Sequence, residues 1–154
     1  MGSNPTEKII NELESVLGSF SQSEIEELTP FLNYTEWPMN QPILKEGERA
    51  DFIGFLVKGK LALKKETNFP EKSILLAILE KGATICECSM SDQHVLSSAT
   101  ITPLEESHIL TLTFDRFKDL GQANPSLAIK LLQRSLSMLN DKYANAINRL
   151  ATIL

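Results

Sequence analysis

Ile43-Leu44-Lys45-Glu46-Gly47-Glu48-Arg49-Ala50-Asp51-Phe52-Ile53-Gly54-Phe55-Leu56-Val57-Lys58-Gly59 carries the pattern that decides the fold. An apolar pair opens it, and Glu46-Gly47-Glu48 supplies turn residues. Phe52 to Val57 is almost continuously apolar, as a strand buried in a core should be. Lys58-Gly59-Lys60 then marks a hairpin tip, and Leu61 and Leu63 alternate with smaller or charged residues like a half-buried strand.

Outward from this stretch the punctuation continues at intervals of about ten residues, the rhythm of a sandwich or barrel. Tyr34 to Trp37 stops at Pro38, and Gln41-Pro42 forms a turn. Ile74 to Leu79 is a second apolar run, closed by Glu80-Lys81-Gly82. Ala99 to Leu104 and Ile109 to Phe114 are two further strands around Glu105-Glu106-Ser107. Before the strands, Ile9, Ile10, Leu13, Val16 and Leu17 recur at helical spacing, with Asn4 or Thr6 as cap. Ser23 and Glu26 form a capping-box pair ahead of a second short helix that ends near Pro30. After the strands, Phe117 and Leu120 mark a short helix, and Ser126 is placed as the cap of a long one. Leu132, Leu136, Leu139, Tyr143, Ile147, Leu150 and Leu154 step by three or four along it, a stripe suited to core or helix-pair packing. The chain thus divides into N-terminal helices (1–32), a β-barrel (33–114), and a hinge with a long C-terminal helix (115–154), all one domain.

Composition bounds the function. With 154 residues, 42% hydrophobic and 23% charged, the chain is an ordinary globular one. A net charge of -5 argues against a nucleic-acid surface. No apolar run is long enough to span a membrane and no signal peptide opens the chain, so the expected location is the cytoplasm. Met1-Gly2-Ser3-Asn4-Pro5-Thr6 fits the loose N-myristoylation pattern, which is short enough to arise by chance.

The ordered set of motifs resembles the cyclic-nucleotide-binding domains of the cyclic AMP receptor protein group of bacterial regulators, of kinase regulatory subunits and of gated channels. Ile43 to Gly59 is similar to that family's opening, and Ser97-Ser98-Ala99-Thr100-Ile101 to its Arg-Ser-Ala-Thr-Val stretch. Asp115, Phe117, Leu120 and Asn124-Pro125 match its hinge and the start of its long helix. The resemblance implies a mainly β fold with helices: a double-stranded β-helix, or jelly-roll, barrel flanked by N-terminal helices and a long C-terminal one. It also implies a regulatory module in signal transduction, not an enzyme.

The same resemblance locates a ligand loop. There a Gly lets backbone N–H groups approach the cyclic phosphate, a Glu accepts the ribose hydroxyl, and an Arg pairs with the phosphate. Here Ile85-Cys86-Glu87-Cys88-Ser89 falls on that loop and Ser97-Ser98-Ala99 on its second half. Glu87, Ser98 and Ala99 match the pattern. Cys86 stands in place of the Gly and Ser97 in place of the Arg. Losing that Arg forfeits a charged hydrogen bond of about 1.5–3 kcal/mol, and each ~1.4 kcal/mol is tenfold in affinity. Weak or no cyclic AMP binding is therefore expected. The base-proximal positions on the long helix fall at Lys142 and Tyr143. Tyr143 there offers a ring to stack on a base and Lys142 a cation for a phosphate or a partner carboxylate; the plain reading is a solvated Lys142 and a Tyr143 belonging to the apolar stripe.

Other chemistry is weakly signalled. Cys86, Cys88, His94 and His108 include zinc-ligand types, but a lone Cys-x-Cys without a second pair does not make a site, and no metal is expected. An exposed Cys86 would suit thiol sensing. No cofactor is expected, and the ligand candidates are a cyclic nucleotide or a related small anion. The expected partners are a nucleotide-like effector and either a second copy through the C-terminal helix or another protein, with no membrane. The family's DNA-binding helix-turn-helix would follow the long helix where this sequence stops, so no DNA binding is expected. The alternative to a sensor is a ligand-independent interaction or dimerisation module.

Overall fold

The computed structural model describes residues 5–92 and 94–154. The first four residues, with the Gly2 of the myristoylation pattern and the candidate cap Asn4, lie outside that range.

Helices α1 (Pro5–Val16) and α2 (Gln22–Leu28) open the chain. The capping box of α2 is one frame earlier than expected. Ser21 accepts from the Glu24 amide at 3.1 Å, and the Glu24 carboxylate accepts from the Ser21 amide at 2.9 Å. Ser23 and Glu26 repeat the same spacing two residues on, but the Ser21 frame is the one that buries Ile25 and Leu28.

Among the described residues seven strands follow: β1 (Asn33–Trp37), β2 (Phe52–Lys58), β3 (Leu61–Glu66), β4 (Ser73–Leu79), β5 (Thr84–Ile85), β6 (Thr100–Pro103) and β7 (Ser107–Thr113). They form two antiparallel sheets, ordered β1-β7-β2-β5 and β4-β3-β6. This corrects the reading of Lys58-Gly59-Lys60 as a hairpin tip, since β2 and β3 lie in different sheets and the turn carries the chain between them. Gly59 is required there: its φ is +99°, and a Cβ would fall 2.2 Å from Ser107 Oγ.

The continuous apolar run of β2 follows from having both faces buried. Ile53, Phe55 and Val57 face a core shared with Leu13, Leu17, Leu120, Leu127 and Leu131 from the helices. Leu56 faces the second core, between the sheets, with Leu61, Ile85, Ile101 and Ile109. Each fully buried side chain of this size stabilises by about 1.5–3 kcal/mol. Gly54 keeps the second core closed: a Cβ there would meet Ile85 Cγ1 at 2.7 Å. The other apolar run behaves differently. In β4, Ile74, Leu75, Leu76 and Ile78 are exposed.

Helix α3 (Phe114–Ala123) is capped by Thr113, and α4 (Pro125–Ile153) by Asn124, whose side chain accepts from the Leu127 amide at 3.1 Å. Ser126 is therefore inside α4 and not its cap. Pro125 takes the first helical position, where no donor is needed. The inward face of α4 consists of Leu127, Ala128, Leu131 and Ser135. The stripe from Leu132 to Leu154 is not core in the single chain: Leu136, Tyr143, Ile147 and Leu150 are all exposed.

Candidate functional site

β5 ends at Ile85, and the chain turns sharply through Cys86 into a 3₁₀ turn over Glu87–Met90. Cys86 adopts the left-handed conformation, φ 59° and ψ 37°. The backbone here has the geometry that favours Gly, and the Cβ at Cys86 carries strain on the order of 1–2 kcal/mol. The turn lays the Glu87 side chain under α4, with that residue 9% exposed.

Three residues of α4 one helical turn apart then meet β5 and its turn. Arg134 donates to Thr84 Oγ1 at 2.8 Å, and that hydroxyl in turn donates to Met138 Sδ at 3.2 Å. Lys142 donates to the Thr84 carbonyl at 2.6 Å and to the Glu87 carboxylate. The Arg134 guanidinium also lies 5.7 Å from the Phe55 ring centroid. Burial pulls its pKa below the usual value, opposed by the Glu87 charge. Spacing of four along a helix puts residues 134, 138 and 142 on one face. The plain reading of Lys142 as solvated is thus overturned, because its ammonium is held by two acceptors.

A cavity of about 240 Å³ opens beside this contact. Cys86, Glu87, Cys88, Ser89, Ser97, Ser98 and Ala99 all line it, as does Lys142. Tyr143 does not, and it is exposed. Apolar side chains, among them Leu63, Leu79, Ile85, Val95 and Ile101, form most of the remaining wall. The Ser97 hydroxyl, at the position of the expected Arg, donates to the Ala99 carbonyl at 2.6 Å. Ser98 is exposed, and its carbonyl accepts from Lys65 at 3.1 Å. Lys81 and His94, the basic residues nearest in sequence, do not line the cavity.

The thiols differ in setting. Burial, with the Glu87 charge adding to it, pushes the Cys86 thiol up to about 12, which makes it a poor nucleophile at neutral pH. Cys88 is exposed. Neither joins a cluster of metal-ligand types among the described residues. The one such cluster is Glu36, Glu106 and His108, but both ring nitrogens of His108 are already engaged, by Tyr34 and by Glu106 at 3.1 Å.

Arg134, Met138 and Thr84 were missed from the sequence. Stepping back from Lys142 by fours reaches Met138 and Arg134, so the signal was present in the helical period.

Among the described residues no helix is long and apolar enough to cross a membrane. A family model described as the cyclic nucleotide-binding domain matches residues 34–124. The cAMP-activated global transcriptional regulator CRP of Salmonella typhimurium is 24% identical over 115 residues, covering 71% of this chain and 53% of that protein. The chain therefore spans about half the length of this curated relative. A cyclic nucleotide-binding domain from Methylobacillus flagellatus superposes with a TM-score of 0.83 at 23% identity, covering 97% of this chain and 84% of that one. The regulatory subunit of a cAMP-independent protein kinase A from Trypanosoma brucei does so at 0.70 and 18%, covering 92% and 50%. The chain shares the overall jelly-roll fold of these structures, and with the family model matching residues 34–124 it belongs to the cyclic nucleotide-binding domain family.

Proposed function

We propose that this chain is a regulatory sensor module that binds cyclic AMP weakly or not at all and signals through the position of α4. One observation carries the reading: Glu87, the carboxylate matched to the ribose, is already engaged by Lys142 of the chain's own helix. Lys142 is the only cation among the described lining residues, and with the Arg position held by Ser97 a cyclic phosphate would enter without a charged partner. The Trypanosoma brucei regulatory subunit, which belongs to a cAMP-independent protein kinase A, has a similar fold. An effector that binds one arrangement of α4 better than the other would shift the helix. Leu139 and Lys142 put α4 in direct contact with the cavity.

Thermal melting with cyclic AMP, cyclic GMP and cyclic dinucleotides tests the reading. A ligand at a hundred times its dissociation constant stabilises by about 2.7 kcal/mol, and one present only at its dissociation constant by about 0.4 kcal/mol. At roughly 2–4 °C per kcal/mol for a chain of this size, millimolar cyclic AMP should raise the midpoint by no more than about 2 °C. A rise of 5 °C or more, on the order expected for tight binding, would defeat it.

The exposed stripe on α4 favours a second reading, an interaction module that pairs with a second copy. Leu136, Tyr143, Ile147 and Leu150 line up along the helix without cover, as in a two-helix seam. Sedimentation over a range of concentrations should show a dimer that Leu136→Asp with Ile147→Asp dissociates. A wild-type monomer at every concentration would remove this reading.

A further inference from the structure

The cavity and the ligand class usual for such a fold disagree in charge. Its walls are mainly apolar, with Ala50, Leu63, Leu79, Ala99 and Ile101 among them. Lys142 and Glu87 face each other across its edge and cancel. Cys86 contributes a neutral thiol. The Ser97 proton is directed to a backbone carbonyl. An entering anion would have to pull Lys142 from two acceptors or lie unpaired beside a carboxylate, at a cost that burial magnifies. An uncharged apolar molecule meets neither obstacle.

We infer that the cavity takes an uncharged, predominantly apolar small molecule about the size of a bicyclic aromatic. The volume supports the size, since an apolar cavity of about 150 Å³ holds benzene and this one measures about 240 Å³. The occupant would touch Leu139 on α4 and Leu76 on β4, and Arg149 of α4 donates to the Leu76 carbonyl. Occupancy is in this way tied to the element that carries the signal. The inference rests on the sensor reading for its biological sense, but the binding itself is measured separately.

The test is an amide NMR titration of the full chain with 2-naphthol, with naphthalene-2-sulfonate (the same ring system bearing a fixed negative charge) and with cyclic AMP. 2-Naphthol is expected to saturate one site and move the amides of Ile85, Ala99 and Ile101, with the sulfonate at least about tenfold weaker, the factor set by one lost charged contact. Ala99→Phe fills the cavity and should abolish 2-naphthol binding. Leu139→Lys, on the half-exposed roof, adds a cation without disturbing the core. It should raise the sulfonate-to-naphthol affinity ratio several-fold. Sulfonate or cyclic AMP binding as tightly as 2-naphthol at the same amides overturns the inference and leaves a ligand sensor standing. No shift from 2-naphthol up to its solubility limit also overturns it. Binding that leaves the amides of 139–154 unmoved upholds the cavity assignment and defeats the sensor reading instead.

Discussion

Lys142→Met is the substitution that interrogates the contact between α4 and the turn after β5. The methionine keeps the stem length and apolar packing but removes the ammonium, and with it the donor to Glu87 and to the Thr84 carbonyl. A hydrogen bond to a charged group contributes about 1.5–3 kcal/mol and one to a neutral carbonyl about 1 kcal/mol. The two ends differ in exposure: the Glu87 side chain is 7% exposed and that of Lys142 36%. Water reaching the lysine side offsets part of the loss, which brings the expected cost to about 2–3 kcal/mol. For a chain of this size that is a fall in Tm of roughly 4–12 °C. Glu87→Gln should cost less, about 1 kcal/mol, because the lysine it releases can swing to solvent whereas a stranded Glu87 cannot. The double variant Glu87→Gln with Lys142→Met buries no unpaired charge, so its loss should fall below the sum of the singles by at least about 1 kcal/mol. Urea unfolding of the four proteins at pH 7 measures the cycle. Additive losses, or a Lys142→Met cost under about 0.5 kcal/mol, would refute the claim that this pair holds the helix to the loop.

Gly59→Ala should destabilise by about 2–4 kcal/mol in urea unfolding, because a Cβ there meets Ser107 and Glu106 at 2.2–2.7 Å in a left-handed backbone. Gly18→Ala, with nothing within 4 Å of the new Cβ, should stay within about 0.5 kcal/mol. Iodoacetamide at pH 7.5, followed by mass spectrometry, should label exposed Cys88 first and the half-buried Cys86, whose thiol is held protonated, at least about tenfold more slowly. Equal labelling rates would show an open Cys86 and restore the thiol-sensing reading. Acid should weaken the fold: Lys130 beside Glu24, Lys65 beside Glu46 and His108 beside Glu106 each hold a carboxyl below its usual 4.5. A carboxyl lowered in the folded state adds stability above its unfolded pKa, and that stability is lost as pH falls through the folded one. The urea midpoint should therefore drop below about pH 4.5, and the drop should be shallower in Glu24→Gln.

The barrel was legible because its strands and turns are local signals. Phe52–Val57 is apolar on both alternations and lies between two cores, so its residues announce a buried strand without reference to anything distant. What failed was whatever needed a partner to decide it. Ser21-x-x-Glu24 and Ser23-x-x-Glu26 are identical patterns two residues apart, and only the burial of Ile25 and Leu28 selects the first. Lys58-Gly59-Lys60 has hairpin composition, yet whether such a turn joins paired strands or crosses between sheets depends on where β7 and β6 dock. Ile74–Leu79 has the same apolar composition as β2 but lies exposed at the edge of its sheet.

Helix α4 shows most sharply how one pattern leaves two outcomes open, since its stripe suits core or helix-pair packing alike. Its largest hydrophobic residues sit on one stripe, and burial is the usual fate of such a stripe. In this chain the stripe faces outward, while Arg134, Met138 and Lys142 on another face meet β5. The arrangement follows from what the loop offers: a Thr84 hydroxyl, a Thr84 carbonyl and a buried Glu87 carboxylate are all acceptors, and a cationic helix face satisfies them where leucines would leave them orphaned. Replacing the phosphate-pairing Arg by Ser97 removes a positive charge from the cavity, and Lys142 supplies one from the helix at the neighbouring carboxylate. Among the described residues that line the cavity, Lys142 and Glu87 are the only charged ones and they pair with each other, so the cavity is mainly apolar and internally neutral.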